Sequence, residues 1–383
     1  MSEDFLPFAK PYMDDAIIAE VMACLQSGWL TTGPRVKHFE QLLTDYCNGA
    51  TALSFSSATA ALHVALLCLD LQPGDEMITT PLTFVATLNT IVQAGGKPVL
   101  VDINPHDNNL DVTKLEAAIT PRTKAIMPVH FAGLPVDLAP LYALAEKYQL
   151  RVIEDGAHAI GAAYQGKKLG SFGDVVIFSF HPNKNMTTGE GGCLITRDAT
   201  LAARAARLRF HGIDRDAFNR FSKSGSQDYD VVEAGFKYNM MDIQAAIGLH
   251  QLPKLDEFIV QRTQLVKRYY EQLVDCAFLA LPKKPAYQHT HAWHLFTPLV
   301  QLEKTKLSRH AVMQALKEQE IGTGYHYQAV HLFSFYQQQF GWKKGDFPHA
   351  EYVSERIFSL PLFPTLTHEQ QDKTIKALLH VMN

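Results

Sequence analysis

Apolar and polar positions alternate in blocks from about residue 50 to residue 200. Short apolar runs occur at "TALSFSS" (51–57), "DEMITTP" (75–81), "KPVLVDI" (97–103), "TKAIMPVH" (123–130), "LRVIED" (150–155), "DVVIFSFH" (174–181) and "GGCLITR" (191–197). Each has the length of a strand and is rich in β-branched residues. Between them lie segments of helical periodicity: "ATAALHVALLCLDL" (58–71), "TFVATLNTIVQAG" (83–95), "VTKLEAAI" (112–119) and "LAPLYALAEKYQ" (138–149). Strands alternating with helices of this length predict βαβ units and a mostly parallel sheet covered on both faces. Ligands of such sheets bind beyond the carboxyl ends of the strands.

The pattern changes after residue 200. "ATLAARAARLRFHG" (199–212) predicts a helix, and the polar stretch 213–236 a long loop. Residues 240–273 read as one long helical segment in which Pro253 is placed to kink the axis. Then come a strand at "HAWHLFTPLVQ" (291–301), a helix at 308–319, a strand at "IGTGYHYQ" (321–328) and a closing helix at 368–382. The chain of 383 residues is too long for one small core. It divides into a large domain, 1–251, and a smaller α+β domain, 252–383, with the N-terminal segment able to pack on the smaller one.

Composition narrows the function classes. Charged residues make up 19% of the chain, the net charge is −4, and no Lys/Arg-rich run is present. A nucleic-acid partner held by bulk charge is not expected. Five cysteines are scattered without C-x-x-C spacing, which fits reduced thiols in a cytoplasmic protein. The first residues carry acids and no apolar core, unlike a signal peptide, and no apolar run approaches the ~20 residues of a membrane span. No metal site is expected: His291 and His294 are three apart on a predicted strand and face opposite sides.

Three weak signals carry the candidate chemistry. Ser56, Ser57, Ala58 and Thr59 stand where a strand becomes a helix, and unpaired backbone N–H groups there favour an anion. Ser57 or Thr59 as a plain helix cap is the competing reading. "RVIEDGAHAIGA" (151–162) ends a buried strand with Glu154 and Asp155, and His158 follows. A carboxylate at a strand's end points at the ligand crevice, where it can hold a protonated ring nitrogen; a helix cap is again the alternative. "FSFHPNKNMTTGEGGCLIT" (178–196) places Lys184 after a strand ending at Ser179 and broken by Pro182. A Lys there can condense with an aldehyde and then serve as a base. A solvated turn Lys is the bland reading, but the three signals stand in order on one sheet. Phe84, able to stack on a flat ring, and Asn239, beside a helix start, are further candidates.

The motifs "SSATAALH", "TTPLTFVATLN", "VHFAG", "IEDGAHAIGA", "FSFHPNKNMTTGEGG" and "FKYNMMDIQAAIGLHQL" resemble those of the DegT/DnrJ/EryC1 sugar aminotransferases across nearly the whole chain. The resemblance implies an α/β fold of the aspartate aminotransferase-like, PLP-dependent transferase type I, with pyridoxal 5′-phosphate (PLP) as cofactor. It implies that Lys184 joins the cofactor's aldehyde, Asp155 meets its ring nitrogen, His158 lies near the ring hydroxyl and Phe84 stacks on the ring. Ala58, Thr59 and Ser179 match a phosphate cup. Asn239 matches a residue reaching the neighbouring subunit's phosphate, hence a homodimer with shared sites. L-Glutamate would be the amino donor, 2-oxoglutarate its product, and a nucleotide sugar the acceptor. The sugar would enter near the 214–234 loop and the segment holding Tyr325, His326 and His331. "LPFAKP", "SGWLTTGP", "HAWHLF", "IGTGYHY" and "SERIFSLPLFP" make the chain most similar to family members producing UDP-4-amino-4-deoxy-L-arabinose from a UDP-4-keto-pentose. Another 4-keto-6-deoxy nucleotide sugar and a non-catalytic regulator on the same fold are the alternatives; Lys184 argues against the branch that carries His in its place and dehydrates sugars.

Overall fold

The computed structural model describes residues 5–214 and 229–382; the part of the predicted loop at 215–228 lies outside the described residues. Seven strands form the central sheet: β1 (Thr51–Phe55), β2 (Glu76–Thr79), β3 (Lys97–Leu100), β4 (Thr123–Ile126), β5 (Arg151–Asp155), β8 (Val175–Ser179) and β9 (Gly192–Thr196). A small hairpin, β6 (Ala163–Tyr164) and β7 (Lys167–Lys168), intervenes between β5 and β8. The sheet order is β1-β9-β8-β5-β4-β2-β3. β9 pairs antiparallel with both β1 and β8, and the remaining pairs are parallel. Six strands therefore run one way and β9 the other, which is the mostly parallel sheet that the alternation predicts.

Both faces are covered. Every residue of β8 and β9 is buried, as expected for strands with helices on each side. One face packs the helices Pro34–Tyr46, Leu138–Tyr148 and Asp242–Gln251 through Phe39, Leu43, Leu138, Leu141 and Ala245. The other packs Ala58–Leu67 and Ala199–Leu208 through Leu62, Val64, Leu66, Leu201 and Ala205. A third core joins Leu6 to Leu265, Tyr269, Phe296, Leu316, Phe358 and Leu378, beneath the helices Leu255–Leu273, Arg309–Glu318 and His368–Met382.

Several elements differ from the sequence pattern. The predicted strand 291–301 survives only as Leu299–Val300 plus an isolated bridge at Phe296. Residues 291–294 form an irregular turn instead: Trp293 has φ 47°, and the Ala292 carbonyl accepts from Asn185 Nδ2 at 2.6 Å. The segment 321–328 is likewise irregular, joined by single bridges from Ile321 to Leu6 and from Gly324 to Ser359. The long helical stretch breaks at Leu252–Lys254, a 3₁₀ turn containing Pro253, whose missing N–H cannot continue the α ladder. Two N-terminal helices, Asp15–Gln26 and Pro34–Tyr46, precede the sheet; Asp14 caps the first by accepting from Ile17 N, and Pro34 opens the second. Among the described residues, no helix is long and apolar enough to cross a membrane.

Candidate active site

Pairing register brings the chemistry to one sheet edge. Phe55 and Ser179, the last residues of β1 and β8, both face Gly192, the first of β9. Asp155, the last of β5, stands opposite Ile177 of β8. The turns leaving these strands enclose a cavity of about 620 Å³, lined by Ser57, Ala58, Thr59, Phe84, Asp155, His158, Ser179 and Lys184. Tyr325, His326 and Tyr327 close it from the C-terminal part of the chain.

At one end lies the start of the helix Ala58–Leu67. Ser57 caps it, its hydroxyl accepting from Ala60 N at 3.1 Å. The competing cap reading therefore holds for this side chain. The Ser56 N–H is also committed, to the Tyr238 carbonyl at 2.7 Å. Ala58 and Thr59 occupy the first helical turn, where backbone N–H groups have no intrahelical acceptor. Gly192 permits this arrangement: a Cβ there would fall 2.4 Å from Ala58 N. Ser179 stands beside it, 7% exposed, its hydroxyl facing His181 N at 3.4 Å.

Asp155 is 5% exposed. Its Oδ2 accepts from Thr87 Oγ1 at 2.8 Å and its Oδ1 from Ala157 N at 3.1 Å. Burial raises its pKa above the ordinary Asp value, and the Thr87 and Ala157 bonds and the Lys184 charge oppose that rise. His158 Nε2 lies 2.9 Å from Tyr327 Oη, while its buried Nδ1 has no partner among the described residues. Burial first, then the Lys184 charge, holds the imidazole well below its usual pKa and hence neutral. His326, bonded through Nδ1 to Ser359 Oγ at 2.8 Å, is pushed down to about 3 by the same two causes.

Lys184 rides the loop joining the antiparallel strands β8 and β9. Its N–H bonds to the His181 carbonyl at 2.9 Å, closing a turn with Pro182 at its second position, where the ring's fixed φ suits the turn. Thr188 N and Thr187 Oγ1 both bond the Phe180 carbonyl and anchor the loop's far side. Burial lowers the Lys184 pKa from 10.5 to about 8, against the pull of Asp155 in the other direction.

Other predicted residues fall differently. Phe84 borders the cavity with its ring 56% exposed and 5.9 Å from that of Tyr327. Asn239 is not part of this cavity wall; it bonds Thr32 and Lys237 beside β1. His331 is corrected. It is fully buried and does not line the cavity, and its Nε2 pairs with Glu351 Oε1 at 2.9 Å. That carboxylate also accepts from Gly345 N, so the pair serves packing. His291 and His294 do not alternate on a strand: His291 stacks on Trp293, and His294 lies 4.5 Å from the His158 ring. Two groups were not anticipated, Thr87 and Tyr327. Their partners, Asp155 and His158, are 68 and 169 residues away along the chain, so no local motif signals them.

Residues 11–379 match the DegT/DnrJ/EryC1/StrS aminotransferase family. The chain belongs to this family. It is an aminotransferase by that membership, and its α/β fold is that of its relatives. It is 42% identical over 382 residues to the spore coat polysaccharide biosynthesis protein SpsC of Bacillus subtilis, covering 99% of this chain and 97% of that one. Among solved structures, it resembles Helicobacter pylori PseC, an aminotransferase involved in pseudoaminic acid biosynthesis. There the TM-score is 0.91 and the identity 30%, with 99% of each chain covered. The putative sugar aminotransferase Spr1654 of Streptococcus pneumoniae, solved in a PLP-form, matches with a TM-score of 0.90 at 32% identity, over 99% of this chain and 98% of that one.

Proposed function

We propose that this aminotransferase uses pyridoxal 5′-phosphate to move the amino group of L-glutamate, leaving 2-oxoglutarate, onto the keto carbon of a 4-keto nucleotide sugar. The observation that carries the reading is Lys184 and Asp155 facing one cavity whose far end is a helix N-terminus. Those three features suit a flat aldehyde cofactor with a basic ring nitrogen and a phosphate. The unpartnered Nδ1 of His158 adds a polar group for the ring's substituents. The solved PLP-form of Spr1654 supports the choice of cofactor.

When bound, pyridoxal 5′-phosphate supplies an aldehyde that condenses with amines and a ring that draws electrons from the attached carbon. The chain's residues do the rest. With its pKa near 8, Lys184 is roughly a quarter unprotonated at about pH 7.5, against ~0.1% for an ordinary lysine. Its Nζ takes the α-proton of glutamate and, in the second half of the cycle, delivers a proton to C4 of the sugar. Asp155, fixed by Thr87 and Ala157, would hold the ring nitrogen protonated, an interaction that would strengthen as negative charge develops. Ala58, Thr59 and Ser179 would hold the phosphate. Phe84 would cover the ring, and Tyr325 and His326 would meet the sugar.

The sugar reading is UDP-4-keto-pentose to UDP-4-amino-4-deoxy-L-arabinose, and it rests on the sequence resemblance. A second reading is another 4-keto-6-deoxy nucleotide sugar; likeness to SpsC, of spore coat polysaccharide biosynthesis, and to PseC, of pseudoaminic acid biosynthesis, supports keeping it. The protein works in the cytoplasm as a homodimer with shared sites, Asn239 reaching the neighbour's phosphate. Ile18, Met22 and Leu25, exposed at 57, 49 and 46% on one face of the helix Asp15–Gln26, support a covering subunit. The division into 1–251 and 252–383 is part of the same proposal. The test incubates purified protein with the cofactor, glutamate and UDP-, dTDP- or GDP-linked 4-keto sugars, and identifies amino sugars by mass spectrometry. Borohydride reduction should fix the cofactor on the Lys184 peptide. Steady-state turnover by Lys184→Ala would overturn the role of Lys184, and preference for a dTDP or GDP sugar would replace the sugar.

A further inference from the structure

A second, small pocket of about 10 Å³ is lined by Lys184, Asn185, Thr187, Gln251 and Arg262. Arg262 belongs to the helix Leu255–Leu273 and is 2% exposed. Its Nη1 donates to the carbonyls of Trp293, His294 and Leu362 at 3.2, 3.3 and 2.9 Å. Burial alone lowers its pKa, with no carboxylate contributing. A buried cation satisfied only by carbonyls is costly, and an apolar side chain of similar volume would pack there at less expense. Such a group points to a task other than stability.

Two buried polar atoms on residues lining this pocket have no partner among the described residues: Arg262 Nε, a donor, and Asn185 Oδ1, an acceptor. The orientation of Asn185 is fixed, since only its Nδ2 can donate to the Ala292 carbonyl. The pocket approaches the roughly 10–15 Å³ that one water needs, and the two atoms offer complementary roles.

We propose that Arg262 is a positioning residue for Lys184, holding the turn that carries it through one water shared by Arg262 Nε and Asn185 Oδ1. The water accepts from the guanidinium and donates to the amide. The same guanidinium fixes the carbonyls of residues 293 and 294, and the neighbouring Ala292 carbonyl is the second anchor of Asn185. Asn185 is thereby held at both ends of its side chain, and Lys184, one residue earlier, is kept in the cavity that Asp155 also lines. The titratable groups coupled to Lys184 are Asp155, His158, His294 and His326. The three histidines are held neutral by burial, so the Lys184 amine reports chiefly how well its surroundings exclude water.

This inference rests on the proposal that Lys184 is the reactive amine, yet its test needs no turnover. Full-length protein stripped of cofactor is labelled competitively with acetic anhydride across a pH series, and Lys184 acetylation is read by mass spectrometry. Arg262→Met and Asn185→Ala should raise the Lys184 titration midpoint by about one unit or more toward the ordinary lysine value, and Arg262→Lys by less. A folded Arg262→Met protein whose Lys184 titration superimposes on the wild-type curve would overturn the proposal. If Arg262→Met does not fold, Asn185→Ala decides it by the same criterion. Failure of the cofactor to be trapped on wild-type Lys184 would instead sink the functional reading and leave this titration as it stands.

Discussion

Replacing Lys184 with Met should make the cofactor-free protein more stable near neutral pH. The structure lowers the Lys184 pKa from 10.5 to about 8, and each unit is worth about 1.4 kcal/mol. The full shift is thus roughly 3 kcal/mol against the charged amine, and about 2 once its partial exposure to the cavity is discounted. The sign follows from linkage. The folded-state value lies below the unfolded one, so this group costs nothing above about pH 10.5. The cost grows as the pH falls toward about 8 and is constant below that. Methionine matches the lysine stem in size and carries no charge. Urea unfolding of both cofactor-free proteins at several pH values provides the assay. The variant should be more stable by about 2 kcal/mol near pH 7, with the gap closing as the pH approaches 10. A gap of constant size would show that packing causes it. A variant less stable than the wild type near pH 7 would refute the argument that burial disfavours the charged amine.

Two further outcomes discriminate between roles. Asp155→Asn keeps the shape and the Thr87 contact but removes the charge that would hold a ring proton. Transamination should fall by roughly 10- to 100-fold or more, the scale of one hydrogen bond to a charged group, with the loss in kcat exceeding any change in KM for glutamate. His331→Gln breaks the buried pair with Glu351 at a residue that is not part of the cavity wall. It should lower thermal stability while leaving KM for the nucleotide sugar within about twofold, because additivity holds for distant sites.

The sheet was legible because burial on both faces writes itself as apolar runs. β8 reads Val-Val-Ile-Phe-Ser, and no polar residue interrupts it until the edge where the ligand belongs. That placement is why Asp155 and Ser179 could be singled out: each is a polar side chain that closes a buried run at a strand's carboxyl end. The segments 291–301 and 321–328 were not legible in the same way, although the helix between them was. Their residues have strand propensity, but propensity gives way to tertiary contacts there. Arg262 and Asn185 take the backbone carbonyls of residues 292–294 that a strand would have offered to a neighbour. The aromatic and His-rich composition of that region misled in one place and not in another: His326 reached the cavity and His331 did not. The difference is a carboxylate on another element, Glu351, 20 residues further on. A sequence shows which side chains are capable of chemistry, and the partner that captures each one is fixed only when the chain folds. For Lys184 the surroundings are a turn anchored at Phe180, the cavity that Asp155 of β5 also lines, and a small pocket shared with Arg262 of the helix beginning at Leu255. The environment of this amine is thus built from three elements that span more than a hundred residues.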